Sequence, residues 1–442
     1  MNTHTQTERT GSTHTAAPAE ARLAQAARIL RIGAAAAGVC ALALVVAAGA
    51  AGVFGLTAVL DALRAAAFLM PGPADTALAL AVLVSLANIS ALLVLTVGVT
   101  AREPWALVGL GAAVLVNGAA LLVFGALPAA IGIGAAGAAL ASAVQAGALF
   151  RANPVMRKEL RGRMRGVRAF VLLTFYLVLM SGFALLIYLV LRTAAGGDVS
   201  ASGAIGRALF FGVVGIQMLL IVFLAPSFTA GAITGERERQ TYDLLQTTLL
   251  STPSFVMGKL ESALGYVLLL LLAGIPLQSL AFLFGGISEV ELLLAFIMLL
   301  VLAIALGTVG LYFSAVFTRT LTASVRAYGA IALAVFVMPL VLGTALRVFT
   351  LRASSWPPAL EALSVYLGLL LTAINPVATA VTTQALLIER DTLTFYPYTL
   401  ASTGGSIPLI SPWIAFVIVY LTAAALLLVV SVRRTQRDRD RA

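Results

Sequence analysis

Apolar runs of about 20 residues recur along this chain, with its charges confined mainly to the segments between them. A run of that length crosses a bilayer as an α-helix, because every backbone polar group must find its partner inside the segment. Runs of this kind occupy residues 33–58, 78–99, 105–125, 128–150, 169–191, 206–229, 261–284, 290–315, 327–349 and 412–431. They predict an all-α integral membrane protein with about ten transmembrane helices. Composition agrees. Charged residues make up 10% of the chain, against about 25% in soluble domains, which excludes a soluble enzyme as the default. Cys40 is the only cysteine, so no intramolecular disulfide forms, and it reads as a small buried hydrophobe. His4 and His14 are the only histidines and both lie in the polar leader. No metal site and no histidine general base are expected.

The basic residues give a topology. Residues 1–30 read as a polar cytoplasmic leader, and the first apolar run starts too late for a cleaved secretory signal. With alternating sides, all of the 28 basic residues fall on the leader's side except Arg64, Arg192, Arg207, Arg347, Arg352 and Arg390. This is the positive-inside pattern. The net charge of +10 is thus a topology signal, and no aromatic interleaving supports nucleic-acid binding. Residues 433–442 form a basic cytoplasmic tail. The expected location is the plasma (inner) membrane, multi-pass, with both termini cytoplasmic. The apolar stretch 365–387 is interrupted by Asn375-Pro376, and a proline there ends the preceding helix. Region 350–411 is therefore expected to hold an external re-entrant pair, followed from Asp391 to Pro412 by a loop of little regular structure. Asn88, Ser90, Asn117, Ser181, Gln217, Gln278 and Asn375 are polar groups in or near apolar runs, expected mainly to hydrogen-bond neighbouring helices.

Two parts differ in character. Residues 31–150 are built from Ala, Gly, Leu and Val and read as an accessory four-helix bundle. Residues 151–432 carry two organised charged segments. The first, 153–167, has Asn153 as a cap and Pro154 in the first turn. Met156, Leu160 and Met164 share one face, and Arg157, Lys158, Arg161 and Arg165 cover the rest, which predicts an interfacial helix against anionic lipid. The second, 232–251, opens with Glu236-Arg237-Glu238-Arg239 and continues into Leu244, Leu245, Thr248 and Leu249. It predicts an amphipathic cytoplasmic helix suited to docking a soluble partner.

These two segments resemble the permease subunits of type-2 ATP-binding-cassette (ABC) exporters. Asn153 to Gly166 is similar to that family's elbow helix. Ala232 to Ser251 is similar to its coupling helix, through Ala-Ile-x-x-Glu-Arg-Glu-x-x-Thr-x-Asp-x-Leu, and Gly258-Lys259-Leu260 to the lead into the next span. The resemblance covers the chain from Arg151 onward and leaves the first four spans outside the six-span pattern. It implies that Glu236, Arg237, Glu238, Arg239, Thr241 and Asp243 contact a separate ABC ATPase subunit. It further implies that Arg157, Lys158, Glu159 and Arg161 lie on the elbow nearby, and that a second permease subunit, identical or related, completes the transporter.

No Gly-x-x-x-x-Gly-Lys-Ser/Thr loop occurs in the chain, so ATP is expected on the partner and no cofactor or catalytic residue here. Two alternatives are an ATP-independent secondary transporter and a membrane assembly or scaffold protein. A secondary transporter is expected to place ionisable groups at mid-membrane, and the acids of the ten proposed spans lie near their ends. A scaffold leaves the charged segment 232–251 unexplained.

Overall fold

The computed structural model describes residues 7–53, 77–124, 128–146, 150, 153–165, 167–194, 202–242, 244, 251–350, 357–390, 392–402 and 404–440. Among the described residues the chain is helical apart from turns and one hairpin. Helices α1 (Thr7–Val53), α2 (Ala77–Ala101), α3 (Pro104–Phe124) and α4 (Ala129–Val144) form the N-terminal bundle. A short helix α5 (Pro154–Met164) leads into α6 (Val167–Ala194) and α7 (Ser202–Ala230). One turn of helix, α8 (Thr234–Glu238), precedes α9 (Thr252–Leu283) and α10 (Glu289–Val316). Then follow α11 (Thr320–Ile331), a π-helical stretch Ala332–Val337, and α12 (Met338–Thr350). Helices α13 (Pro358–Ile374) and α14 (Pro376–Arg390), strands β1 (Phe395–Thr399) and β2 (Ser406–Ile410), and α15 (Pro412–Arg439) complete the chain. Among the described residues, nine helices are long and apolar enough to cross a membrane, ten if the bent pair α13–α14 counts as one span. This is the architecture of a multi-pass helical membrane protein.

Several boundaries differ from the sequence expectation. The leader is not separate from the first span: α1 starts at Thr7, and Leu23, Ala26 and Leu30 are buried within the bundle. From Ala16 onward the segment is alanine-rich and favours helix, so its scattered polar residues do not set it apart from the first span. The expected span 128–150 is a helix of 16 residues, shorter than a full crossing. The span expected at 261–284 begins at Thr252, where the Ser251 side chain caps α9.

The bent pair is sharp, with 116° between its two arms. Asn375 makes the bend stable: its Oδ1 accepts from the amides of Val377 and Ala378, both at 3.0 Å, and so caps α14. The loop expected after it is instead ordered as the antiparallel β1–β2 hairpin. Pro397 faces Pro408 in that register. Neither has an N–H, so the two occupy a non-hydrogen-bonded pair whose carbonyls point outward. Those carbonyls are taken by Arg390 at 2.7 Å and Tyr366 at 2.9 Å. Glu361 on α13 accepts from the amides of Ala401 (2.7 Å) and Ser402 (3.0 Å) at the hairpin tip. The hairpin is thereby fastened onto the bent pair.

The largest core joins α7, α9, α10 and α15, with Ile331, Val335 and Ala373 packed against them. Helix α10 is the most buried of the nine spans. Ala303, Ala305, Gly307 and Gly310 on it admit close neighbours. By contrast, α6 and α12 turn Phe170, Phe175, Val178, Leu340 and Val341 outward, which suits lipid. Polar groups inside the spans pair with each other. Gln278 donates to Gln217 Oε1 at 2.6 Å, and Gln217 donates to the Tyr176 hydroxyl at 3.0 Å. Gly274 makes room for this chain: a Cβ there would lie 1.9 Å from Gln217 Nε2. Asn88 donates to Asn117 at 2.9 Å within the N-terminal bundle. Ser90 meets Thr422 at 2.5 Å, which ties α2 of that bundle to α15.

Candidate functional site

Lys259 lies two turns into α9 and is 4% exposed. An ammonium so buried must be paired. Its Nζ meets Glu236 Oε1 of α8 at 2.7 Å and also Glu159 of α5. The second oxygen of each carboxylate is held as well. Thr241 donates to Glu236 Oε2 at 2.5 Å, and Ser262 donates to Glu159 Oε2 at 3.1 Å. The Phe255 ring lies 5.7 Å from the ammonium. One cation on α9 therefore gathers the two charged segments that the sequence singles out.

Helix α5 is placed by its cap. Asn153 Oδ1 accepts from the Val155 amide at 3.0 Å, and Pro154 occupies the first turn. The same side chain donates to Glu103 Oε1 at 2.7 Å and to the Ser254 carbonyl at 2.6 Å. Gly258 allows this approach, since a Cβ there would lie 2.8 Å from the Asn153 amide group. Burial pushes the Glu103 carboxyl above the usual carboxylate range, and the Asn153 hydrogen bond pulls the other way. Next to it, Trp105 donates to Glu261 Oε1 at 2.9 Å, and Ser254 donates to the Ala101 carbonyl at 2.7 Å. The turn between α2 and α3 thus docks the N-terminal bundle onto α5 and α9. Arg163 completes the α5 contacts, donating to the Phe228 carbonyl at 3.2 Å with its guanidinium 5.8 Å from the Phe228 ring.

Helix α8 is held from the other side by α10. Ser314 Oγ accepts from the amides of Ile233 (2.9 Å) and Thr234 (3.1 Å), which as first-turn donors have no partner within the helix. Arg237 donates to Asp438 of α15 at 2.7 Å and to the Phe317 carbonyl at 2.9 Å, and its guanidinium lies 4.9 Å from the Tyr242 ring. Glu238 accepts from the Thr320 amide at 2.7 Å and from its hydroxyl at 2.9 Å.

Within the segment 232–251, Thr234–Glu238 is helical and is interrupted at Gln240, whose φ of 57° is left-handed; Tyr242 and Leu244 are helical again, and residues 243 and 245–250 lie outside the described residues. Beyond the interruption, Tyr242 packs on Phe255 with ring centroids 6.5 Å apart. The helix expected over 153–167 covers Pro154–Met164.

The expected site residues divide into two groups. Glu236, Arg237, Glu238, Thr241 and Glu159 all bond to groups of this chain, and Glu236 and Glu159 meet through Lys259. Arg157, Lys158, Arg161 and Arg239 are exposed. Asp243 lies outside the described residues. Sequence reasoning missed the organising roles of Lys259, Glu103 and Trp105. A lysine at the start of an apolar run was the available signal, because such a charge needs a partner. The partners come from segments 23 and 100 residues away, which spacing alone does not identify. Among the described residues, no group of three or more His, Cys, Asp or Glu side chains could hold a metal ion. No protein-family model matches the chain, and no curated protein matches it.

Proposed function

We propose that this chain is the membrane-spanning subunit of an ATP-driven ABC transporter, of exporter type, energised by a separate ATPase subunit. The observation that carries the reading is the Lys259 clamp. It fastens a short charged helix between two long spans to an amphipathic helix at the start of the six-helix unit. A connector needs no such assembly. A lever does, because a push on one short helix must reach the spans without being lost in loop motion.

In this reading the basic end faces the cytoplasm, and the ATPase docks beside α8 and α5. Exposed Arg239, Arg157, Lys158 and Arg161 offer charge to the ATPase and to anionic lipid. The inward-facing residues do a different task. Glu236 links α8 to α9 and α5, Glu238 links it to α11, and Arg237 links it to α15. Closure of two nucleotide-loaded ATPase subunits displaces α8, and these ties pass the displacement to four helices together. A second permease subunit completes the path.

Purification from native membranes in a mild detergent tests this. The expected result is a stoichiometric ATP-hydrolysing subunit that co-elutes with the chain and is lost when Arg239, Arg157, Lys158 and Arg161 are all changed to glutamate. Elution of the chain with no ATPase, together with transport that is indifferent to those changes, would contradict it.

A further inference from the structure

The junction between the N-terminal bundle and the six-helix unit brings together two carboxyl groups, one from each side. Glu103 sits on the turn between α2 and α3 and is 2% exposed. Glu261 sits half-buried on α9, and Trp105, beside Glu103, donates to its Oε1 at 2.9 Å. The two carboxyls lie close enough to repel each other when both are charged. Among the described residues, no basic side chain forms an ion pair with either. The cations of the surrounding elements are engaged elsewhere or face outward. Arg102, on the same turn, pairs with Glu20 of α1 at 2.7 Å, and Arg22 of α1 donates to the Gln145 carbonyl. Lys259, two residues before Glu261, is held by Glu236 and Glu159. On α5, Arg163 donates to the Phe228 carbonyl, and Arg157, Lys158 and Arg161 are exposed. Arg237 of α8 pairs with Asp438 of α15, whose Arg433 and Arg434 are exposed.

Two further features mark the junction. Glu261 Oε2 is shut away from solvent and has no hydrogen-bond partner. The neighbouring donors are already used: Asn153 gives its amide hydrogens to Glu103 Oε1 and the Ser254 carbonyl, and Trp105 has a single N–H. A buried charged oxygen without a donor is costly, whereas a carboxyl that keeps a proton carries no charge and supplies a donor itself. The second feature is Arg102, whose φ of 62° is left-handed. A non-glycine residue keeps that conformation when surrounding contacts impose it. Those contacts are the Arg102–Glu20 pair, the bonds of Glu103 and Trp105, and the Ser254 hydroxyl on the Ala101 carbonyl.

We propose that Glu103 and Glu261 share one proton, and that this proton latches the N-terminal bundle onto α5 and α9. With the proton in place the pair carries at most one negative charge and stays packed. As pH rises and the proton leaves, two like charges face each other in a poorly hydrated site, where their repulsion is little screened. The α2–α3 turn then lifts and hydrates, Trp105 leaves Glu261, and Asn153 leaves Glu103. Asn153 caps α5, so the release reaches that helix. The Ser90–Thr422 contact keeps α2 on α15, so the motion is a local hinge. The latch rests on the junction alone and is independent of the ATPase reading.

Trp105 reports the latch directly. In the full-length protein in detergent, Trp356→Phe and Trp413→Phe leave it as the sole tryptophan, and acrylamide quenching of its emission is followed from pH 5 to pH 9. Quenching is expected to be low at pH 5 and to rise severalfold, reversibly, along a one-proton titration. Glu103→Gln and Glu261→Gln each remove one charge of the pair and keep an oxygen for Asn153 or Trp105. Either change should hold quenching low over the whole range. Glu20→Gln, which frees Arg102 but leaves the pair intact, should raise quenching and keep its pH dependence. If a glutamine variant does not fold, infrared difference spectra of the wild type give a second readout. The stretch of a protonated carboxylic acid should vanish over the range in which quenching rises. Quenching that does not change with pH overturns the proposal. So does a rise that persists in both glutamine variants, or the absence of a protonated-carboxyl band that vanishes with it.

Discussion

Lys259 and Glu236, 23 residues apart in sequence, meet at 2.7 Å where a spanning helix passes the short helix α8. Glu159 of α5 shares the same ammonium. The energetics of this triad follow from its burial. Removing one member of a buried ion pair costs about 3 to 5 kcal/mol, because the remaining charge is left without compensation. The two carboxylates here keep 20% and 23% side-chain exposure, so water relieves part of that cost.

Lys259→Met is therefore expected to destabilise the protein by about 2 to 3 kcal/mol, below the fully buried range. Adding Glu236→Gln and Glu159→Gln removes both stranded charges and should restore much of the loss. Thermal unfolding in detergent, followed by size-exclusion chromatography, checks the order: wild type first, the triple variant next, Lys259→Met last.

Glu103 supplies a pH signature. It is 2% exposed, and burial raises its pKa above the ordinary value of 4.5. Between the unfolded value and the raised folded value, the folded state holds more protons than the unfolded state. Stability therefore falls as pH rises through that window. Glu103→Gln keeps an oxygen to accept from Asn153 and removes the charge. It should flatten this part of the stability profile, whereas Glu103→Ala should destabilise at every pH by orphaning the Asn153 amide. Unfolding midpoints measured from pH 4 to pH 8 separate the two variants.

Gly274 is a packing prediction. Its missing Cβ is what allows Gln217 to reach Gln278 and Tyr176. Gly274→Ala should cost about 1 to 3 kcal/mol through overpacking and the broken polar chain. The double variant with Gln217→Ala should be less destabilised than the sum of the single changes, because both act on the same contact. A double-mutant cycle on thermal stability measures that coupling.

Glu361 fastens the hairpin through two charge-assisted bonds. Glu361→Ala should loosen the tip locally while leaving the helices intact. Limited proteolysis should then cut between Thr399 and Ser406 in the variant well before the wild type.

The spans were the most legible part of this molecule, because a bilayer-length apolar run has few alternative folds. The Asn375-Pro376 break was also legible, since proline stops one helix and asparagine caps the next. The hairpin was not. Pro397 and Pro408 argue against strands until they are seen to face each other across one non-hydrogen-bonded pair. The end of α8 was hidden too, because nothing in Gln240 itself announces a left-handed backbone. At the candidate site, the sequence showed that charges cluster in two segments. It did not show which of them bond to groups of this chain, since Glu236, Arg237 and Glu159 find partners that are distant in sequence.

In the proposed transporter an ATPase engages the α8 side of the basic end. A photo-crosslinking amino acid placed at exposed Arg239 in native membranes reads that contact. One dominant adduct is expected, with a nucleotide-binding polypeptide, and its yield should change when a non-hydrolysable ATP analogue is added. Adducts with lipid or with a second copy of this chain alone, unchanged by nucleotide, would contradict it.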